Sequence, residues 1–183
     1  MSGVAAVPND ILGFWRSAGP KRWFAKSAAF DSAIRLKFEP VHHAAARGEY
    51  DAWAETAEGA LALLILLDQF PRNLFRGSAH AFATDGKARA VARAAVAAGF
   101  HRQVEPELAA FFLLPFDHSE DLADQELGVA LAADSGDPER LKWARIHRDI
   151  IASFGRFPHR NACLGRETTA PEQAFLDEGG FGG

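Results

Sequence analysis

Cysteine is nearly absent from this sequence of 183 residues, in which Cys163 is the single example. A lone cysteine cannot form an internal disulfide, and Cys163 has no second cysteine or close histidine at the spacing of a zinc site. Residues 1–10 also lack a basic segment followed by a long apolar stretch, which is the pattern of a secretory signal. We therefore expect a cytoplasmic protein.

Long hydrophobic runs are missing as well. The longest, residues 60–67 (ALALLILL), is far below the roughly 20 residues that cross a bilayer. Hydrophobic residues make up 48% of the chain and charged residues 24%, which is the composition of a globular protein. The sequence predicts one domain over residues 1–183, with flexible ends at residues 1–8 and 178–183, and no membrane partner.

Basic residues are missing from one long stretch. Between Gln103 and Glu139 there is no Lys or Arg and there are ten acidic residues, whereas Arg140 to Arg166 contains seven basic residues and one acid. We expect these two stretches to pair with each other. Because the acidic stretch would repel phosphates, the pattern disfavours a nucleic-acid partner.

The alternation of apolar and polar residues that marks a strand is also lacking, and apolar residues recur at helical spacing instead. Asn9 is predicted to cap a first helix that ends before Gly19. The apolar run is predicted as a helix from about residue 51 to 69 that stops because of Pro71. The sequence therefore predicts an all-α fold of about eight helices in stacked antiparallel hairpins.

Capping residues predict the helices of the C-terminal half. Ser119 or Asp117 is predicted to cap an acidic helix over residues 119–134, and Asp137 to cap the next one, with Pro138 at its first position. The following residues form one apolar stripe on that helix: Trp143, Ile146, Ile150 and Phe154. Thr169 and Glu172 have the spacing of a capping box that opens a last short helix.

Carboxylates of the acidic helix form the first candidate site. At about 100° per residue, Glu120 and Asp124 lie beside an apolar face, and buried carboxylates require partners. One interpretation is a carboxylate pair for acid/base chemistry or a metal, with His118, Asp121 and Gln125 as further ligands. The other is ion pairing with the arginine-rich helix that follows. Since no metal-binding motif is present, we predict neither a metal nor a cofactor.

Two similar turns form the second candidate site, because residues 70–73 read FPRN and residues 157–161 read FPHRN. Each Phe-Pro pair is predicted to end a helix, and the Arg and Asn side chains to donate to carbonyls left open there. Asp68 has the spacing for an ion pair with Arg72.

The functional interpretation of these turns is a pocket for a carboxylate or a phosphate. Arginine forks suit such anions, and a histidine beside them can carry a proton. The residues expected to line it are Arg72, Asn73, Arg156, His159, Arg160 and Asn161.

Taken together, four strings resemble a bacterial family described as domain of unknown function 924. They are LDQFPRNLFRG (67–77), AFATD (81–85), PFDHSEDLADQE (115–126), and HRDIIASFGRFPHRN with LGRET (147–168). The resemblance runs from about Ile11 to Leu176. It implies an all-helical, tetratricopeptide-like right-handed array with degenerate repeats, and it implies no activity.

Two functions stay open on the sequence alone. The first is a binding or interaction protein for a protein, a peptide or a small anionic ligand, with a charged groove lined by residues 68–73, 118–124 and 156–161. The second is an enzyme acting on a small carboxylate or phosphate, in which His118 or His159 carries the proton and the arginines hold the anion.

Overall fold

The computed structural model describes residues 6–182, and these residues form helices and turns without a strand. The all-α prediction is confirmed. The chain divides into two compact units, Met1–Arg76 with His80–Pro115 and Gly77–Ala79 with Phe116–Gly183. The prediction of a single domain stays a prediction. Its predicted flexible ends, residues 1–8 and 178–183, include residues 1–5 and 183, which lie outside the described residues.

The first unit is built around a buried central helix. Its α-helices are α1 (Pro8–Ala18), α2 (Pro20–Trp23), α3 (Ala28–Ala46), α4 (Ala57–Leu64), α5 (Phe70–Leu74), α6 (Asp85–Ala97) and α7 (Pro106–Ala109). Short 3₁₀ helices cover Asp51–Glu55, Ala79–Phe82, Phe100–Arg102 and Ala110–Phe112, and Ile65–Gln69 is a π-helix. None of the helices within residues 6–182 is long and apolar enough to span a membrane.

Aromatic rings pack against this central helix. The Trp15 ring lies 5.7 Å from the ring of Phe70 and 5.4 Å from that of Phe111, both in edge-to-face geometry. The indole N–H of Trp23 donates to the carbonyl of Trp15 at 2.8 Å. The cluster fixes α1 and α2 on α4 through large buried surfaces.

The helix start predicted at Asn9 is wrong by two residues. Helix α1 begins at Pro8 with Val7 as its N-cap, and the Asp10 carboxylate accepts the Val7 N–H at 3.0 Å. Proline suits the first helical position, where its missing N–H needs no partner.

The predicted stop before Pro71 is also wrong, because the chain stays helical from Ala57 to Leu74. The π-helix makes this possible. In it the Phe70 N–H bonds to the carbonyl of Ile65, one residue further back than in an α-helix. Pro71 then follows with no N–H to donate, and the carbonyls it leaves open are satisfied by side chains described below.

The second Phe-Pro pair does not end a helix either. Helix α10 (Pro138–Phe154) is ended by Gly155, whose φ of 69° is the left-handed conformation that favours glycine. Phe157 is extended, and Pro158 opens a 3₁₀ helix, Pro158–Arg160. The two similar strings therefore occupy different backbone positions.

The second unit is a helical hairpin followed by a short helix. Helix α8 (Leu114–Asp117) is followed by α9 (Leu122–Asp134) and, after a connection of three residues, by α10, against which α9 packs. The short helix α11 (Ala170–Asp177) comes last. Its apolar core consists of Ile150, Ile151 and Phe157, packed by Ile146, Phe154, Phe175 and Phe181. The predicted stripe is thus confirmed except at Trp143, which is 47% exposed.

The predicted caps of the second unit have different outcomes. Asp137 and the Thr169–Glu172 capping box are confirmed. The acidic helix, however, starts at Leu122 with Asp121 as its N-cap, instead of Ser119 or Asp117. The Ser119 hydroxyl donates to Asp124 at 2.7 Å, and Glu120 lies before the helix.

Gly59 gives a test of the packing around α4. A Cβ added at Gly59 would lie 2.1 Å from the backbone carbonyl oxygen of Trp53, whereas nothing lies within 4 Å of one added at Gly13 in α1. We expect Gly59→Ala to lower the free energy of unfolding by about 2 kcal/mol and Gly13→Ala to raise it by about 0.5 kcal/mol, measured by urea titration. Equal effects of the two substitutions would contradict this packing.

Candidate functional site

The predicted site residues fall into two groups, one in each unit. Asp68, Arg72 and Asn73 belong to the first unit. The others belong to the second unit: His118, Glu120, Asp121, Asp124, Arg156, His159, Arg160 and Asn161. A single pocket formed by both turns stays a prediction.

Arg72 is held by two carboxylates of its own unit. Its guanidinium donates to both Asp85 oxygens at 3.1 Å, lies 3.3 Å from Asp68 Oδ1 and donates to the Asp68 carbonyl. Although burial alone would lower it, the pKa of Arg72 is raised by Asp68 and Asp85. The predicted pair with Asp68 is confirmed, and the guanidinium of Arg72 is already bound by carboxylates of this chain.

Asn73 is engaged in the same way. Its amide donates to Asp31 Oδ1 at 2.7 Å, and Arg76 donates to both oxygens of the same carboxylate. Burial works against ionisation, but these hydrogen bonds hold the pKa of Asp31 below its ordinary value. The FPRN segment, which is part of α5, is thus tied to α3.

Side chains satisfy three successive carbonyls of the π-helix. His42 Nδ1 donates to the carbonyl of Leu66 at 2.8 Å, Thr84 Oγ1 to that of Leu67 at 2.5 Å, and Arg72 to that of Asp68. Because a carbonyl only accepts, Nδ1 of His42 carries the proton. Burial lowers the pKa of His42, which keeps the ring neutral. No sequence signal assigned this role to His42.

Glu120 joins two loops of the second unit. Its carboxylate accepts both Nη groups of Arg166 at 2.7 and 3.0 Å and the backbone N–H of Phe157 at 2.8 Å. Burial opposes ionisation, but the bonds from Arg166 and Phe157 hold the pKa of Glu120 below its ordinary value. Arg166 also donates to Asn161 Oδ1 at 3.0 Å, so both predicted residues have structural partners.

Glu172 is the centre of a second network, and it was predicted only as a capping residue. The residue is 2% exposed, and its carboxylate accepts two bonds from Arg156, at 2.6 and 2.8 Å. The Thr169 N–H, the Thr169 hydroxyl and the Asn161 amide donate to it as well. The pKa of Glu172 is lowered chiefly by Arg156, so the predicted anion clamp of Arg156 is filled by this carboxylate.

The two remaining candidate ligands of the acidic helix, Asp121 and Gln125, also have local roles. Asp121 accepts the N–H of Ala123 at 2.8 Å as the N-cap of α9. The fully buried amide of Gln125 donates to the carbonyls of Phe116, Asp117 and Ser119. Within residues 6–182, no group of three or more His, Cys, Asp or Glu side chains is arranged to hold a metal ion.

The predicted pairing of the acidic stretch with the basic one is observed in this unit, both between different elements and within one helix. Glu126 of α9 lies 3.0 Å from Arg148 of α10, and Glu120 pairs with Arg166. Other basic residues pair within their own helix, as Lys142 does with Glu139 at 3.6 Å. The opposite charges therefore act within the unit.

Two neutral imidazoles remain beside the aromatic core, and we call His147, Phe157, His159 and Phe181 the imidazole site. The Phe157 ring lies 5.8 Å from His147 and 5.5 Å from His159. The Arg160 guanidinium stacks over the Phe157 ring, with Cζ 4.4 Å from the ring centroid, and it donates to the His118 carbonyl at 3.0 Å. Sequence reasoning included His159, Arg160 and His118 but missed His147 and Phe181.

The two imidazoles of this site differ in their hydrogen bonding. His147 Nδ1 donates to the carbonyl of Trp143 at 2.7 Å. His159 Nδ1 is buried and has no hydrogen-bond partner within residues 6–182. Burial, followed by the charge of Arg160, lowers the pKa of His159 to about 4, and burial also lowers that of His147. At neutral pH both rings of the site are therefore uncharged, and the buried Nδ1 of His159 lacks a partner.

Comparison with known proteins gives a family but no activity. No curated protein matches the chain. The solved structure of the protein of unknown function ATU0120 from Agrobacterium tumefaciens is 50% identical, with a TM-score of 0.90, and the match covers 93% of this chain and 97% of that one. The family model described as "Bacterial protein of unknown function (DUF924)" matches residues 11–180, nearly the whole sequence, and the chain therefore belongs to that family.

Proposed function

We propose that this chain is a binding protein and that the imidazole site of the second unit receives its ligand. The observation that carries the proposal is the buried Nδ1 of His159, which has no hydrogen-bond partner within residues 6–182. A buried polar atom without a partner costs about 1–3 kcal/mol. Within the imidazole site, Nδ1 of His147 has a partner and Nδ1 of His159 has none, so we take His159 as a group kept for an interaction outside the fold.

The protonation state of His159 favours binding over proton transfer. A general acid or base works best when its pKa lies near the operating pH. With a pKa of about 4, His159 is neutral at pH 7 and suits hydrogen bonding to a ligand better than carrying a proton. Arg156 and Arg166 are engaged by Glu172 and Glu120, so they support the fold instead of an anion clamp.

The proposal keeps the tetratricopeptide-like arrangement and the cytoplasmic location expected from the sequence. The hairpin of α9 and α10 supports the former, because such arrays are built from antiparallel helix pairs. His147 and Trp143 both lie on α10 of that hairpin. A ligand at the imidazole site would therefore contact the side of a helical hairpin.

Replacement of His159 by phenylalanine is expected to raise the free energy of unfolding by about 1 kcal/mol, since it removes an unpartnered buried nitrogen and keeps the ring volume. The matched control is His147→Phe, which removes a made hydrogen bond and is expected to lower it by about 1 kcal/mol. Both are measured by urea titration at pH 7. A loss of stability in His159→Phe would remove the main support for the proposal.

Binding itself is tested with a library of small carboxylates, phosphates, amides and short peptides. Carbon-13-labelled histidine rings report contact with the site through their NMR signals. We expect at least one compound to shift the signals of His159 and His147 in the wild-type protein, and to bind the His159→Phe protein more weakly. If no compound shifts either signal, the binding function at this site is wrong.

A further inference from the structure

An open groove with a volume of about 670 Å³ is lined by side chains of α1 and α3 in the first unit, and we call it the α1–α3 groove. Its apolar lining includes Phe14 and Phe38, whose rings meet edge to face at 5.1 Å. Val41 of α3 adds an aliphatic side chain. Small-molecule sites typically have volumes of about 300–1,000 Å³ and a mostly apolar lining, and the groove has both properties.

The part of the groove that α1 contributes has no bulky side chain at Gly13. This residue lines the groove, and nothing lies within 4 Å of a Cβ added there. The space beside Gly13 is therefore not filled by the protein's own side chains. A ligand has room there next to the Phe14 ring.

Two side chains of opposite charge line the same groove without pairing with each other. The Asp10 carboxylate accepts the Val7 N–H through Oδ2, and among residues 6–182 no cation forms an ion pair with it. Lys37 has no carboxylate partner in that part of the chain either, and its ammonium lies 5.4 Å from the centroid of the Phe14 ring. The groove thus presents one negative and one positive group beside an aromatic surface.

We propose that the α1–α3 groove binds a free apolar α-amino acid. The side chain of the ligand packs on the rings of Phe14 and Phe38, its ammonium faces Asp10, and its carboxylate faces Lys37. A molecule with both charges satisfies both walls at once, whereas a simple acid or a simple amine satisfies one. This inference goes beyond the proposed function, because the groove belongs to the first unit and shares no residue with the imidazole site.

The experiment titrates nitrogen-15-labelled protein at pH 7 with L-phenylalanine and follows the backbone amide signals of Gly13 and Lys37. We expect both signals to shift and to give the same dissociation constant. Phenethylamine lacks the carboxylate and hydrocinnamate lacks the ammonium, so each is expected to bind about threefold more weakly, which is the effect of one exposed ion pair. Glycine keeps both charges without the ring and is expected to bind at least tenfold more weakly.

Substitutions assign each charge of the ligand to its wall. Lys37→Ala is expected to bind L-phenylalanine about threefold more weakly and to lose the preference for it over phenethylamine. Lys26→Ala is the matched control, since Lys26 is an exposed lysine of the same unit outside the groove, and it is expected to bind as wild type does. Asp10→Asn keeps an acceptor for the Val7 N–H and is expected to lose the preference over hydrocinnamate.

Gly13→Leu closes the groove from a helical position that has no neighbour to displace. Leucine favours the helix over glycine, so we expect this variant to fold and to show no shift of the Lys37 signal with L-phenylalanine. The proposal is overturned if Gly13→Leu binds like wild type, if L-phenylalanine shifts neither signal in the wild-type protein, or if N-acetyl-phenylalanine amide, which has no charge, binds as well. The histidine signals of the imidazole site test the proposed function separately, because none of these substitutions touches that site.

Discussion

Glu172→Ala is expected to lower the free energy of unfolding by about 3 kcal/mol, because it removes one partner of a buried ion pair. The carboxylate is almost fully enclosed, and it accepts five hydrogen bonds from Arg156, Thr169 and Asn161. Its loss would remove the acceptor of two bonds from the Arg156 guanidinium and of three further donors, the Thr169 N–H, the Thr169 hydroxyl and the Asn161 amide. The measurement is urea unfolding at pH 7, monitored by circular dichroism.

The control for Glu172 is Glu178→Ala, at the end of the same helix. Glu178 is exposed, and we expect its replacement to change stability by less than about 0.5 kcal/mol. Glu172→Gln should fall between the two, because an amide keeps the size and one acceptor but loses the charge. If Glu172→Ala and Glu178→Ala had similar effects, Glu172 would not be the centre of a network.

The pH dependence of this effect has a definite sign. The pKa of Glu172 in the folded protein is lowered by Arg156 from its ordinary value of 4.5. A carboxyl group with a depressed folded pKa contributes its full stabilisation above the unfolded pKa and loses it as the pH falls below that value. The difference in stability between wild type and Glu172→Gln should therefore be constant from pH 6 to 8 and shrink below about pH 4.5.

Arg72→Ala is the second substitution with a large expected effect, a loss of about 3–5 kcal/mol. Asp68 is 1% exposed and Asp85 is 6% exposed, and Arg72 is a cation that both of them contact. Arg72→Lys is expected to recover only part of the loss, because a single ammonium cannot reproduce the paired bonds to Asp85. Stability is again measured by urea titration at pH 7.

Arg76→Ala is the matched control for Arg72. The side chain of Arg76 is 37% exposed and pairs with Asp31, so its removal should cost no more than about 1 kcal/mol. Full stability in Arg72→Lys would show that charge alone is needed, and that the fork geometry seen in the structure contributes nothing.

Local signals in the sequence predicted the elements whose hydrogen bonds are local. Asp137 with Pro138 and the Thr169–Glu172 box are confirmed because a cap bonds to N–H groups two or three residues away. Pro71 was predicted wrongly for the opposite reason. His42 lies 24 residues before its acceptor Leu66, and Thr84 lies 17 residues after its acceptor Leu67. Nothing in the sequence around Pro71 indicates those distant donors.

The same distinction holds for the candidate site. Residue type was enough to select Glu120, Arg156 and Asn161 as groups that need partners. Their actual partners, Arg166 and Glu172, could be chosen only once the loop after Arg160 was placed. Phe181 lies in a glycine segment whose course depends on the contact between Gly180 and Phe175, so no periodic pattern predicted that its ring meets two histidines.

The π-helix makes one stretch of backbone dependent on distant parts of the first unit. The carbonyls of Leu66 and Leu67 are satisfied by His42 from α3 and by Thr84 from the residue before α6. An ordinary helix can open at its ends one turn at a time, but this segment would expose several polar groups whenever either donor withdrew. Residues 65–70 should consequently exchange their amide hydrogens together with α3 and the start of α6, as one cooperative unit rather than as part of a fraying helix.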